Sequence, residues 1–148
     1  MLETLNEIFQ REIQKLEDEI KSFTDESLIW KTSGEIKNSS GNLCLHLCGN
    51  LQHFIGATIG KTGYVRNRDA EFSSTNISKE KLAEEIQQTK ETVMVSLKKI
   101  SDADLQAIYP QTFINKDVTT EYFLIHLLSH LDYHLGQINY LRRMTMKN

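Results

Sequence analysis

The sequence predicts an all-α protein built as a four-helix bundle. Three observations carry that expectation. Apolar residues recur at three- and four-residue steps along extended stretches, Ser or Thr stands just ahead of the later ones, and the 148 residues hold a single proline, Pro110. This length suits one domain over residues 1–148, large enough to bury a full core without disulfides.

The first helix is expected over residues 2–23, where Leu5, Ile8, Phe9, Ile13, Leu16 and Ile20 share one face among Glu, Lys, Gln and Arg. Residues 24–40 are polar and read as a connection in which Trp30 is a packing anchor. Ser39 or Ser40 then caps a second helix over residues 41–60, the most apolar of the chain. Its glycines at 49, 56 and 60 imply a close neighbour, because each interior Gly costs about 1 kcal/mol relative to Ala and packing must offset that. Residues 61–77 show no period and mix charge with aromatics, which predicts a long ordered loop, a common place for functional side chains. Arg66, Arg68 and Glu71 would line a substrate entrance there; the simpler expectation is a solvated loop with local ion pairs.

Ser78 caps a third helix reaching residue 100, with Leu82, Ile86, Thr89, Val93, Leu97 and Ile100 as its buried stripe. Residues 101–118 read as a short helical turn followed by an irregular connection through Tyr109 and Pro110. Thr119 or Thr120 caps the last helix, which runs to about residue 144 and ends on Arg142 and Arg143, suited to the negative end of a helix dipole. All three connections between the four helices are long.

Composition narrows the function. With 39% apolar and 25% charged residues the profile is that of an ordinary globular protein, and a net charge of −3 argues against nucleic acid as the main partner. No apolar run approaches the roughly eighteen residues that cross a bilayer. The opening Met-Leu-Glu-Thr-Leu-Asn-Glu has neither the basic nor the apolar region of a signal peptide. The expectation is a cytoplasmic protein acting on a small molecule, not on nucleic acid or membrane. Cys44 and Cys48 read as buried thiols, since helix Cβ directions disfavour a bridge at that spacing.

The chemistry concentrates in His126-Leu-Leu-Ser-His130-Leu-Asp-Tyr-His134-Leu-Gly-Gln137. Residues four apart on a helix stack along one face. Taking His126 as zero, His130 falls at about 40°, His134 at about 80° and Gln137 at about 20°, beside the apolar stripe of Phe123 and Leu127. On the second helix His46, Asn50 and His53 share one surface, opposite Cys44 and Cys48, which counts against a mixed Cys/His site. Neutral imidazole is the commonest protein ligand for zinc, nickel and similar metals. One His from the second helix meeting His130 and His134 would give three ligands and one free position, the arrangement of catalytic sites. About 12 Å of helix axis separates His126 from His134, so His126 is expected behind the ligands, with Asn50 and Gln137. His53 is expected to pack.

These residues resemble those of the DinB-like superfamily of metal-binding four-helix bundles, which includes thiol S-transferases such as the bacillithiol transferases. The matching motifs are His46-Leu-Cys-Gly-Asn50 and His130-Leu-Asp-Tyr-His134-Leu-Gly-Gln137. The loop Tyr64-Val-Arg-Asn-Arg-Asp-Ala-Glu-Phe72 looks like a feature of one functionally uncharacterised branch. Resemblance implies His46, His130 and His134 as ligands, zinc or nickel as the metal, an up-down-down-up helix order and a homodimer. It departs at Leu135, where many relatives carry Arg.

The functional expectation is therefore a metal-dependent enzyme with a three-His site and thiol S-transferase-like chemistry on a small electrophile, using a low-molecular-weight thiol as cosubstrate. A metal-dependent hydrolase is the alternative within enzymes. The alternative outside them is a non-catalytic metal-binding or dimerisation bundle, with the Gly-rich second helix or the first helix as its interface. Apart from the ligands, no catalytic residue is assigned.

Overall fold

The computed structural model describes residues 1–146. Five helices carry the fold: α1 (Leu2–Lys21), α2 (Ser40–Leu51), α3 (Arg68–Ser73), α4 (Lys79–Leu97) and α5 (Thr120–Thr145). Short 3-10 turns at Glu26–Trp30 and Asp104–Gln106 punctuate the first and last connections. Among the described residues the β-structure amounts to two isolated bridges, Ile108 with Thr119 and Phe113 with Lys116. No helix there is long and apolar enough to cross a membrane.

Helix starts follow the capping chemistry. The hydroxyls of Ser39, Ser78 and Thr119 accept from the backbone N–H of Asn42, Lys81 and Tyr122, each satisfying a donor that the first turn leaves open. Leu5, Phe9, Ile13, Leu16 and Ile20 of α1 and Leu82, Ile86, Val93 and Leu97 of α4 are buried. Each such side chain contributes about 1.5–3 kcal/mol on leaving water.

Cross-helix registers fix the topology. Lys90 donates to Gln14, Gln87 to Glu17 and Lys79 to the carbonyl of Phe23, so α1 and α4 run antiparallel. Glu12 lies beside Asp132, and Glu19 accepts from Asn139 and Arg142, so α1 and α5 run parallel. His46 meets His130 while Phe54 meets Phe123, which makes α2 antiparallel to α5. Gln52 donates to Glu85 and Thr89, and Lys99 reaches the carbonyl of Gly60, so α2 and α4 are parallel. The bundle is up-down-down-up through α1, α2, α4 and α5, with α2 in contact with both α4 and α5.

Two expectations need correction. The second helix is not α-helical to residue 60: beyond Leu51 it passes into a π-helical stretch, Gln52–Ala57, where Thr58 N–H bonds to His53 and Gly60 N–H to Ile55, five residues back. Such widened turns re-aim the side chains that follow and recur at functional sites. Residues 61–77 are not wholly loop either. Gly63 supplies a left-handed turn (φ 79°), and Asn67 then caps α3 by accepting from Ala70 N–H. Asn42 of α2 ties this helix down, donating to the carbonyls of Glu71 (3.0 Å) and Ser74 (2.8 Å).

Candidate metal centre

Antiparallel α2 and α5 bring three imidazoles to one point on their seam. His46 Nε2 lies 3.1 Å from His130 Nε2. The ring centroid of His46 is 5.0 Å from that of His130 and 5.3 Å from that of His134, and the last two are 4.6 Å apart. One nitrogen from each ring lies within 4.8 Å of the other two. His46 is buried, 6% exposed, whereas His130 and His134 are half-buried on the α5 side.

Burial sets the charge state. It pushes His46 below the ordinary imidazole range; Glu71 opposes the shift, and the charges of His134 and Arg66 add to it. His130 is pushed down to about 4, first by burial and then by the charges of His134, His46, His126 and Arg66. At neutral pH both rings are neutral and offer lone pairs. Two lone pairs opposed at 3.1 Å repel unless a proton or a cation sits between them. Nitrogens tetrahedrally arranged on zinc at 2.0–2.1 Å are about 3.3 Å apart, so the 3.1 Å between His46 and His130 fits such an ion. On the other side of the ring, His130 Nδ1 is buried with no partner among the described residues.

The far side of the His46 ring is occupied. Its Nδ1 lies 3.1 Å from Glu71 Oε1 and 3.3 Å from Arg66 Nη2. Arg66 grips Glu71 through both carboxylate oxygens, each at 2.8 Å, and the two side chains are 12% and 7% exposed. The loop was expected to be solvated with local ion pairs. Arg66 and Glu71 form such a pair but are withdrawn from solvent, whereas Arg68 is exposed and lies over the Phe72 ring, 5.2 Å from its centroid. Phe72 itself covers His46, ring to ring at 4.9 Å. Sequence reasoning passed over Phe72 and Asn42; the capping pattern Asn67-Arg-Asp-Ala was the one available signal for the helix that carries Phe72.

The remaining predicted residues divide. His134 Nδ1 is 2.6 Å from Gln137 Oε1, so Gln137 stands behind a ligand candidate. His126 does not join: its ring is 6.5 Å from His130 and rests on Phe113 at 4.2 Å. Asn50 is buried on the His46 face, its side-chain oxygen without a partner among the described residues. His53 packs on Phe54, and Cys44 and Cys48 are free thiols in the core. Leu135, where many relatives carry Arg, packs into the core at 8% exposure.

The sequence profile of a family described as "Protein of unknown function (DUF1572)" matches residues 1–148. No curated protein matches the chain. Among solved structures, the fold is similar to that of a DinB-like protein from Bacillus cereus ATCC 10987, with a TM-score of 0.70 and 19% identity, over 90% of this chain and 85% of the other. At that identity the likeness is one of fold.

Proposed function

This chain belongs to the DUF1572 family of proteins of unknown function and has a DinB-like fold, and from that premise we propose that His46, His130 and His134 hold one divalent metal ion in a thiol-dependent S-transferase. The observation that supports the reading is the convergence of three imidazole nitrogens, from two helices, within 4.8 Å. Three imidazole nitrogen donors and no carboxylate in the set suit zinc or nickel better than magnesium or calcium. When bound, such an ion supplies Lewis acidity that favours the thiolate of a low-molecular-weight cosubstrate.

The chain's own residues set the conditions for that chemistry. Burial favours neutral His46 and His130, each with one ring nitrogen free to bind. Phe72 packs on the His46 ring, leaving approach from the half-buried His130 and His134 side. A thiolate held there would form its new bond to an electrophilic carbon while the leaving group departs with its electron pair.

A second reading, a metal-binding bundle without catalysis, draws on a specific observation: the nearest carboxylate, Glu71, is committed to Arg66 and His46 and is not free as a general base. The same fact weighs against a metal-dependent hydrolase. Cobalt-loaded protein separates the readings. Adding cysteine should shift the visible bands of the ion and produce a sulfur-to-metal charge-transfer band; a spectrum indifferent to thiol supports the binding module and removes the transferase.

Of the two faces expected for a homodimer, the second helix and the first, that of the second helix is taken up within the chain. Every residue of α2 except Leu45 is buried within the chain, whereas α5 exposes Tyr122, Ile125, Tyr133 and Tyr140 along one side, an apolar stripe fit for a second copy.

A further inference from the structure

The three ligand candidates account for one nitrogen of His46; the other faces a built arrangement that the metal reading does not use. Glu71 Oε1 and Arg66 Nη2 both approach His46 Nδ1, at 3.1 and 3.3 Å, and they make opposite demands. A carboxylate accepts, so it requires Nδ1–H. A guanidinium donates, so it requires a bare Nδ1 and places the proton on Nε2, where it would block a metal.

Geometry decides between them. Arg66 Nη2 already donates to Glu71 Oε1 at 2.8 Å, and Arg66 Nε donates to Oε2 at the same distance. A bare Nδ1 would set its lone pair against the carboxylate oxygen. With Nδ1–H, that hydrogen and the Nη2 hydrogen converge on one acceptor, which a carboxylate oxygen with two lone pairs can satisfy. The local backbone is shaped for this. A Cβ at position 49 would collide with the Glu71 carboxylate, so Gly49 leaves the space on α2 that Glu71 fills. Asn42 fixes the carbonyl of Glu71 from one turn of α2 before His46.

We infer that Glu71, locked by Arg66 and seated over Gly49, is a positioning residue that holds His46 in the Nδ1–H tautomer and so directs Nε2 toward His130 and His134. The inference rests on the metal reading for its purpose and on hydrogen bonding alone for its geometry. Glu71 is not itself a ligand, because it lies on the opposite edge of the His46 ring from the cluster. The connection between α2 and α4 is thereby part of the site: α3 is the splint that presets the α2 ligand. Carboxylate partners of this kind orient metal-binding histidines and raise their basicity, and losing one costs about 10–100-fold in metal affinity.

Two readouts test it. Long-range proton–nitrogen NMR of the metal-free protein, with His46 assigned from His46→Ala, should show Nδ1 protonated and Nε2 bare or accepting; an Nε2–H form would overturn the inference whatever the protein binds. In zinc titrations against a competing chelator, Glu71→Gln should weaken binding at least about tenfold, with all three histidines intact. Gly49→Ala should do the same by displacing the carboxylate without removing any charge. Zinc affinity within about twofold of wild type in both folded variants would also overturn it. Wild-type protein that takes up no zinc would sink the metal reading instead, and the NMR result would still decide the tautomer.

Discussion

The two ends of the α2–α5 seam both carry histidine and treat it in opposite ways. At one end His53 rests on Phe54, ring to ring at 4.7 Å, and His126 on Phe113 at 4.2 Å. Tyr109 stacks on Phe123 at 4.2 Å and donates its hydroxyl to the carbonyl of Phe54 at 2.7 Å. At the other end nitrogen faces nitrogen across 3.1 Å. Ring-on-ring contacts contribute about 0.5–1.5 kcal/mol each beyond burial and require no third party. Opposed imidazole nitrogens require a proton or a cation. The lesson is that neighbours, not spacing, assign a histidine its role. His126 stands to His130 as His130 stands to His134, yet Phe113 claims the first and His46 claims the other two.

If the ends are separable, mutations should affect stability at one and metal at the other. The largest expected effect is from Phe123→Ala, which empties a nearly fully buried ring site and should cost about 3–5 kcal/mol by urea unfolding. Metal bound per folded molecule should not change; loss of metal from the folded fraction would show the two ends to be one unit.

Acid should act on the nitrogen end. His130 titrates at about 4 in the folded chain, against an ordinary value near 6.5, so its neutral form belongs to the native state. The unfolded state binds the proton first. Stability is therefore full above about pH 6.5 and is lost as pH falls from there toward about 4, and His46, shifted in the same direction, adds to the loss. Metal-free wild type should lose more of its denaturant midpoint between pH 7 and pH 5 than His130→Gln does. Equal losses would show that burial of His130 is not the cause.

The smallest effect is expected from His126→Phe. That ring already behaves as an aromatic spacer, and zinc affinity should stay within about twofold. A tenfold drop would return His126 to the place its spacing suggested, behind the ligands.

These contrasts show what local sequence can and cannot convey. The helices were legible because Leu5 to Ile20 and Leu82 to Leu97 repeat their own period and Ser39, Ser78 and Thr119 announce their starts. His130 and His134 were legible for the same reason, being one turn apart on one helix. The widened turn after Leu51 was not, because no residue type encodes it; it arises where α2 settles against α4. Nor was the environment of Glu71. Its meaning depends on Arg66 gripping it, on His46 twenty-five residues back, and on the missing side chain of Gly49. In a list of loop residues it is one more charge. Glycine likewise suggests close approach without saying to what: Gly49 of α2 makes room for Glu71, and Gly60, beyond that helix, for Ser96, both within the chain.

The central claim is that one end of this seam was built to enclose a cation, and metal content measures it directly. Elemental analysis of protein purified without chelator or affinity metal, then equilibrated with zinc and desalted, should give about one ion per chain for wild type and for His53→Ala, and almost none for His46→Ala or His130→Ala. Equal zinc in all four proteins, or none in any, would contradict the account.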